Sequence, residues 1–403
     1  MMWEKVKLGD IATFSNGINF NKTAYAKGIK LIGVSNFGDR FYPDYSQLQE
    51  VKKDIVRLED CLRNGDIVFV RSNGNKELVG RCMLVKNPTE RVTYSGFCIR
   101  ARLNDTDRYD PVYFTYYFKS KAFRRAVSGT AVGANIQNLS QARLSNHKCR
   151  IPSIEVQHRI ADILSAYDNL IENNQRQIKL LEEAAQRLYK EWFVDLRFPG
   201  HENTKIVDGV PEGWSKSTVS EVSAVLRRGI SPKYNEKARG IVINQKCIRQ
   251  TVVSYDEART QEKKYPAELE TMESDIVICS TGAGTLGRVG QIFEAKGNAT
   301  LDSHVTLIRA NEKIGQQSLF WSLKMKQDYL MNAGKGSTNQ LELSRETIGS
   351  CEILIPERKI AEQVEKNFVA IHNKMKECSM QIARLREARD LLLPKLMSGE
   401  VEV

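Results

Sequence analysis

Hydrophobic residues between positions 154 and 195 recur in alternating steps of four and three. This spacing is the heptad period of a helix that lies along a second helix. Because neither Pro nor Gly interrupts the stretch, we predict one continuous long helix. The predicted seam consists of Ile160, Leu164, Tyr167, Ile171, Asn174, Ile178, Leu181, Ala185, Leu188 and Trp192.

A second seam with the same phase lies 204 residues further along the chain. Its positions are Val364, Phe368, Ile371, Met375, Cys378, Ile382, Leu385, Arg389, Leu392 and Leu396. All of them except Arg389 are apolar. Two unrelated amphipathic helices are not expected to share their phase over this length. We therefore interpret the chain as two copies of one unit, each a globular domain followed by a long helix.

The segments in front of the two helices contain short apolar runs separated by Gly, Asn, Asp and Pro, a pattern typical of strands joined by turns. In the first segment we expect one helix over residues 111–126 and strands within residues 29–34, 66–70, 82–85 and 93–103. The second segment restarts the pattern, because the spacing of Trp3, Leu8 and Ile11 recurs 211 residues later. The globular segments therefore repeat as well as the helices.

The composition indicates a polyanionic partner. The formal net charge is +11 and the isoelectric point is about 9.1, and nucleic acid is the simplest polyanion. The eight cysteines include no CxxC pair and only five histidines are present, so the spacing of zinc ligands is absent. The sequence has no signal-peptide core and no run of 18 apolar residues, so we expect a cytoplasmic protein with reduced thiols.

Two stretches match catalytic motifs only in part. Residues 282–287 spell GxGxxG after a predicted strand, but a dinucleotide site needs a helix to follow, and the next residues favour a strand. Residues 110–113 differ by one residue from the Asp-Pro-Pro-Tyr pattern of amino-methylating enzymes, yet no methyl-donor loop accompanies them. We interpret Asp110 as a helix cap. The histidines show no triad or ligand spacing, so we predict neither catalytic residues nor metal ligands.

Polar residues with binding chemistry are concentrated in loops. Arg and Lys can hold phosphates or guanine edges, Asn and Gln can pair with adenine, and Ser and Thr can bond to either bases or phosphates. Any one of them could equally be an ordinary solvated loop residue, so the prediction depends on the grouping. The candidate DNA-binding residues are Asn19, Lys22, Arg71, Ser72, Asn73, Lys76, Ser128, Thr130, Asn135, Gln137, Arg227, Arg228, Lys233, Tyr234, Ser280, Thr281, Thr285, Arg288, Lys335, Ser337, Thr338 and Asn339.

The helices and the restart of the second segment carry more specific motifs. They are QHRIADIL at residues 157–164, IENNQRQIKLL at 171–181, LYKEWFVDLRF at 188–198, PEGW at 211–214 and LREARDLLLPKLMSGE at 385–400. With these motifs the whole chain resembles the specificity subunit of type I restriction-modification enzymes.

The resemblance implies an α+β fold. Two pseudo-symmetric, mixed α/β target recognition domains, built mostly of short strands, would be separated by two long antiparallel helices that form a coiled coil. The implied boundaries are a first recognition domain over residues 1–152, a central helix over 153–197, a linker over 198–213, a second recognition domain over 214–356, and a distal helix with its tail over 357–403. Antiparallel packing that brings Ile160 beside Leu396 would place Asn174 near Ile382, where a buried Asn can fix the register.

The resemblance also implies that the chain recognises DNA without catalysis. Each recognition domain would read one half of a bipartite site, while the helices would set the spacer and dock two methylation subunits. Restriction motor–nuclease subunits would complete a complex that uses S-adenosylmethionine, ATP and magnesium, none of them bound by this chain. Two alternatives remain, namely a coiled-coil scaffold joining two protein-binding domains and a stand-alone DNA methyltransferase.

Overall fold

The computed structural model describes residues 3–38, 40–73, 78–128, 138–334 and 341–403. The fold divides into two compact units. Unit 1 contains Met1–Ile171 and Arg384–Val403, and unit 2 contains Glu172–Ala383. Each unit therefore combines one globular segment with parts of both long helices.

The globular segment of unit 1 consists of short strands and helices, as predicted. Its strands are β1 (Glu4–Lys7), β2 (Ala12–Asn16), β3 (Tyr25–Ile32), β4 (Gln49–Val51), β5 (Ile67–Val70), β6 (Cys82–Leu84), β7 (Val92–Tyr94), β8 (Cys98–Leu103) and β9 (Lys148–Ile151). Its helices are α1 (Leu8–Ile11), α2 (Pro111–Lys119), α3 (Lys121–Ser128) and α4 (Gln141–Asn146).

Two small sheets organise this segment. An antiparallel sheet has the order β2-β8-β5-β6, and a second sheet has the order β4-β3-β7 with β3 and β7 parallel. The central strand β5 is a continuous apolar run because both of its faces are covered. Ile67 and Phe69 pack in one hydrophobic cluster, and Val68 and Val70 pack in another. β1 pairs with β9 immediately before the first long helix begins.

Unit 2 contains a second set of strands and helices. Its strands are β10 (Ile206–Val207), β11 (Val210–Pro211), β12 (Ser215–Thr218), β13 (Ser223–Arg228), β14 (Gly240–Ile243), β15 (Arg259–Gln261), β16 (Ile276–Cys279), β17 (Val289–Gln291), β18 (Ala299–Leu301), β19 (Val305–Ala310) and β20 (Glu352–Ile355). Its shorter helices are α6 (Gln316–Met325), α7 (Gln327–Asn332) and α8 (Arg345–Gly349); we number the long helices α5 and α9.

The sheet topology of unit 1 recurs in unit 2. The order β13-β19-β16-β17 repeats β2-β8-β5-β6, the order β15-β14-β18 repeats β4-β3-β7, and β12 pairs with β20 as β1 pairs with β9. The parallel pair also recurs, between β14 and β18. The internal repeat predicted from the sequence is therefore confirmed at the level of strand connectivity.

A buried ion pair recurs with the sheets. Arg102 donates to Asp66 from Nε at 2.7 Å and from Nη2 at 2.6 Å, and Arg309 donates to Asp275 in the same bidentate way at 2.6 and 2.8 Å. The two aspartates are 1% and 2% exposed. Each also accepts the backbone N–H three residues upstream, at 2.6 Å in both units. Buried carboxylates need such complete pairing, since an unpaired buried charge costs several kcal/mol.

The long helices are α5 (Ile154–Tyr189), which continues as a π-helical turn over Lys190–Val194, and α9 (Arg358–Ser398). In unit 1 the first turns of α5 pack with the last turns of α9, because Ile160, Leu164 and Leu396 share one core. In unit 2 the end of α5 packs with the beginning of α9, because Ala185 and Val364 share another core. These contacts confirm that the helices are antiparallel.

All twenty predicted seam positions are buried or half-buried. Asn174 is only 6% exposed, and its Nδ2 donates to Gln381 Oε1 at 3.1 Å. Gln381 directly precedes Ile382, so Asn174 lies where antiparallel packing predicts. The polar exception Arg389 is also explained by a partner. It forms an ion pair with Asp168 of α5, which accepts the hydroxyl of Tyr116 at 2.6 Å.

Two predicted elements were wrong in extent, because the structure divides each of them. The helix expected over residues 111–126 is interrupted at Ser120, whose hydroxyl accepts the N–H of Phe123 and starts α3 as a new helix. The strand expected over residues 93–103 is divided by a turn into β7 and β8. The segment predicted as a linker over residues 198–213 contains a short hairpin of β10 and β11.

Candidate nucleic-acid interface

Segments far apart in the sequence meet at one place in unit 1. The N–H of Arg71 donates to the carbonyl of Phe97 at 2.8 Å, and the N–H of Leu139 donates to the carbonyl of Arg71 at 2.9 Å. The N–H of Gly96 donates to the carbonyl of Ile18 at 2.7 Å. We call the segments that meet here loop cluster 1, and they are residues 17–19, 71–73, 95–97 and 138–139.

Unit 2 builds the same junction from its equivalent residues. The N–H of Ser280 donates to the carbonyl of His304 at 2.8 Å, and the N–H of Leu343 donates to the carbonyl of Ser280 at 2.8 Å. Ser280 thus matches Arg71, and His304 matches Phe97. We call these segments loop cluster 2, and they are residues 229–231, 280–288, 302–304 and 341–343. Main-chain bonds set both junctions, so the side chains are free to differ.

A glycine marks the close approach of the chain in each cluster. A Cβ on Gly17 would lie 2.2 Å from the carbonyl oxygen of Tyr94, and one on Gly229 would lie 2.1 Å from the carbonyl oxygen of Leu301. No side chain fits at such distances. The sequence uses glycine at both positions because the loop passes directly against a strand end.

The candidate residues in loop cluster 1 and in the turn beside it differ in how far they are exposed to solvent. Asn19 and Lys22 are exposed, whereas Arg71, Ser72 and Asn73 are half-buried. The Arg71 guanidinium donates from Nη1 to a carbonyl of the neighbouring segment at 3.2 Å. A guanidinium has five N–H donors, so this bond positions the side chain and leaves other N–H groups available to a ligand.

The two arginines of β13 face carboxylates of unit 2. Arg227 forms an ion pair with Glu268, and Arg228 pairs with Glu342 at 2.6 Å. Arg228 also donates to the carbonyl of Leu343 at 3.3 Å, which ties it to loop cluster 2. The Arg227–Glu268 pair is exposed on both sides and contributes only about 0–1 kcal/mol, so a phosphate can replace this carboxylate at little cost.

Lys233 and Tyr234 lie in the loop that follows. Lys233 is exposed and pairs with Glu262, and the hydrogen bond that its ammonium donates to Glu262 raises the pKa of Lys233. The ring of Tyr234 is 44% exposed and lies 3.5 Å from the Arg259 guanidinium carbon. This stacked cation adds Arg259 to the basic residues of the surface.

The loop after β16 contains one wrong prediction. Ser280 is fully buried and its hydroxyl bonds to that of Thr306 at 2.6 Å, so its side chain belongs to the core. Thr281, Thr285 and Arg288 are half-buried. The last two bond to carbonyls of their own loop, at distances from 2.6 to 3.2 Å.

The other predicted residues lie outside the part of the chain whose side chains the structure describes. They are Lys76, Ser128, Thr130, Asn135, Gln137, Lys335, Ser337, Thr338 and Asn339.

Sequence reasoning missed Phe97 and His304, the matched pair in the two clusters. Phe97 is 63% exposed, and His304 is also exposed. Aligning the two repeats loop by loop would have found the pair, because both residues directly precede a buried strand.

Both motif-like stretches have structural roles. The GxGxxG loop leads from β16 into β17, so the predicted strand is confirmed in place of the helix that a dinucleotide site requires. Asp110 caps α2 by accepting the N–H groups of Val112 and Tyr113, both at 3.1 Å. This confirms its interpretation as a helix cap.

The cysteines are free and buried. Burial raises the pKa of Cys82 to about 11 and the pKa values of Cys98 and Cys279 to about 12, so these thiols stay protonated at neutral pH. Within the described ranges, no group of three or more His, Cys, Asp or Glu residues could hold a metal ion. None of the described helices combines the length and the apolar character needed to cross a membrane.

Comparison with known proteins matches these features to one family. The model of the type I restriction modification DNA specificity domain matches residues 2–183 and again residues 211–377. The HindI specificity subunit of Haemophilus influenzae is 26% identical over 483 residues, covering 99% of each chain. The MjaIX specificity subunit of Methanocaldococcus jannaschii is 27% identical over 339 residues, which is 81% of this chain and 76% of that protein.

A solved structure agrees in fold. The S subunit of a type I restriction-modification system from M. genitalium superposes with a TM-score of 0.58 at 17% identity, over 98% of this chain and 96% of that one. The family match falls on both repeats and therefore on both loop clusters. The chain belongs to the type I restriction-modification specificity subunits, the components that recognise the DNA sequence.

Proposed function

We propose that each loop cluster reads one half of a bipartite DNA site, and that the chain itself carries out no catalysis. The observation that supports this most directly is the repetition of the junction with different side chains. Equivalent main-chain bonds hold Arg71 and Phe97 in one unit and Ser280 and His304 in the other. Two loop clusters with the same main-chain path but different side chains are suited to reading two half-sites of different sequence.

The long helices would fix the number of unread base pairs between the half-sites. α5 has 36 residues and α9 has 41, so at ~1.5 Å per residue each is about 55–60 Å long. Half-sites on one face of DNA are separated by about one helical turn, ~34 Å, or its multiples. A packed helix pair is stiff enough to hold such a distance constant.

The same helices would dock two methylation subunits, and restriction subunits with motor and nuclease activity would join them. The complex would use S-adenosylmethionine, ATP and magnesium, which this chain would not bind. A cytoplasmic location follows from a function on chromosomal DNA.

A domain exchange tests the modular reading. Residues 1–152 would be replaced by the corresponding segment of the HindI subunit, and methylated adenines would be mapped across the genome of a host carrying the complex. We expect one half of the methylated motif to change while the other half and the spacer remain. A change in both halves would refute the assignment of one half-site to each unit.

Two further measurements address the alternatives. The purified chain with S-adenosylmethionine and DNA should transfer no methyl groups, whereas a stand-alone methyltransferase would. Affinity for duplex DNA should fall steeply with salt, because phosphate contacts release counterions. A scaffold for protein partners would show no such salt dependence.

A further inference from the structure

The residue that precedes β8 in unit 1 corresponds to the residue that precedes β19 in unit 2. Both main chains are fixed in the same manner. The N–H of Phe97 donates to Ser95 Oγ at 3.0 Å, and the N–H of His304 donates to Asp302 Oδ1 at 2.9 Å. The carbonyl of each residue accepts the bond that joins its loop cluster.

The ring of Phe97 is exposed to solvent, although the main chain that carries it is fixed. Its side chain is 63% exposed, although Ser95 is 6% exposed and Cys98 is fully buried. Its carbonyl accepts from Arg71 and Ser72 at 2.8 and 3.3 Å, so the turn is held from both sides. Single exposed apolar residues are common on proteins. This one differs because its main chain is fixed next to Gly96, whose carbonyl accepts from the Arg71 guanidinium, within the loops that we propose contact DNA.

His304 presents a hydrogen-bond donor at the matching place. Gln245 Nε2 donates to the carbonyl of Thr281 at 2.6 Å, which fixes the orientation of the amide, and also to Thr281 Oγ1 at 2.7 Å. The Thr281 hydroxyl lies 2.7 Å from His304 Nδ1 and can donate its own hydrogen there. A neutral imidazole that accepts at Nδ1 carries its proton on Nε2. Among the described residues, no partner occupies that Nε2–H.

We propose that these two rings are specificity-determining contacts to bases, one in each half-site. Phe97 contacts the 5-methyl group of a thymine, an apolar mark that the major groove displays. His304 donates from Nε2 to an acceptor on a base edge. This inference rests on the proposed function, since it names the contacts by which each loop cluster reads its half-site.

The test compares sequence selection by full-length chains co-expressed with their methylation subunits. Wild type, Phe97→Ala and His304→Ala would each be used to select duplexes from a random-sequence library. Leu58→Ala is the matched control, because Leu58 is 70% exposed in unit 1 and lies outside loop cluster 1. Phe97→His and His304→Phe keep a ring at each position and serve as second variants.

We expect Phe97→Ala to lose discrimination at one base pair of one half-site by roughly 5- to 150-fold, the range for one mismatched base pair. His304→Ala should do the same in the other half-site only, and Leu58→Ala should select the wild-type motif. At the thymine identified, deoxyuridine should weaken wild type but leave Phe97→Ala unchanged, since the methyl group and the ring act as one contact.

Three outcomes would overturn the inference. In the first, both alanine variants select the wild-type motif with wild-type affinity. In the second, one substitution reduces discrimination in both half-sites. In the third, the effects of deoxyuridine and Phe97→Ala are additive. If wild type selects no motif at all, the proposed function itself fails. That result differs from one in which wild type selects a bipartite motif that the variants leave unchanged.

Discussion

Replacing Asn174 by leucine is expected to stabilise the helix pair of unit 2. Asn174 is 6% exposed, whereas its hydrogen-bond partner Gln381 is exposed. Losing the bond costs about 0.5–1.5 kcal/mol, because water can solvate Gln381 afterwards. Burying a leucine contributes about 1.5–3 kcal/mol, and its higher helix propensity adds a few tenths. The net gain should be about 1–2 kcal/mol.

The matched variant Gln381→Ala removes the same hydrogen bond from its exposed end. The amide of Asn174 then stays buried without its partner, which costs about 1–3 kcal/mol. The two substitutions therefore act in opposite directions although they delete one bond. This difference in sign separates the cost of a buried polar group from the strength of the bond itself.

Native-state hydrogen exchange measures the effect locally, in peptides that cover residues 172–182 and 374–383. A gain of about 1.4 kcal/mol in opening free energy slows exchange roughly tenfold. The reasoning is refuted if Asn174→Leu accelerates exchange in these peptides, or if Gln381→Ala leaves it unchanged.

Three further predictions concern the globular part of unit 2 and its contact with α9. Asp275→Asn removes the charge that Arg309 faces in the core and should lower the free energy of unfolding by about 3–5 kcal/mol, with a shift in the urea midpoint as the readout. Gly229→Ala places a Cβ against a carbonyl and should destabilise by at least ~2 kcal/mol in the same assay, while Gly297→Ala, with open space around it, should be nearly neutral. Burial lowers the pKa of His372 from 6.5 to about 4, so the unfolded chain takes up the proton first and stability falls as the pH drops below about 6.5. Lowering the pH from 7 to 5 should cost about 2 kcal/mol through this group, and His372→Gln should remove that loss; an unchanged pH dependence in the variant would contradict the assignment.

The seam and the repeat could be predicted because each is a periodic property of the chain. Every seam position is determined by its neighbours three and four residues away, so the pattern survives without any knowledge of tertiary contacts. The partner of Arg389 could not be predicted in this way. Asp168 lies outside the predicted seam, and only the packing of α5 against α9 brings the two together.

The candidate site was less predictable for the same reason. The residue types in the sequence identified polar loops. They did not reveal which of these polar side chains pair with other residues of the same unit. Lys233 and Glu262, or Arg228 and Glu342, are far apart in the chain and meet only through the fold. Ser280 shows the limit most clearly, since a hydroxyl at a strand end faces either core or solvent, and the residue type is the same in both cases.

The main-chain hydrogen bonds that join each loop cluster have an evolutionary consequence. A bond between backbone groups persists when the side chain is exchanged, so positions 71, 97 and 304 can change residue type without changing the path of the loop. Recognition of a new DNA sequence can then arise by single substitutions, while the main chain of the loop cluster keeps its conformation. A gene with two such loop clusters can vary one half of its target while the other half stays in use.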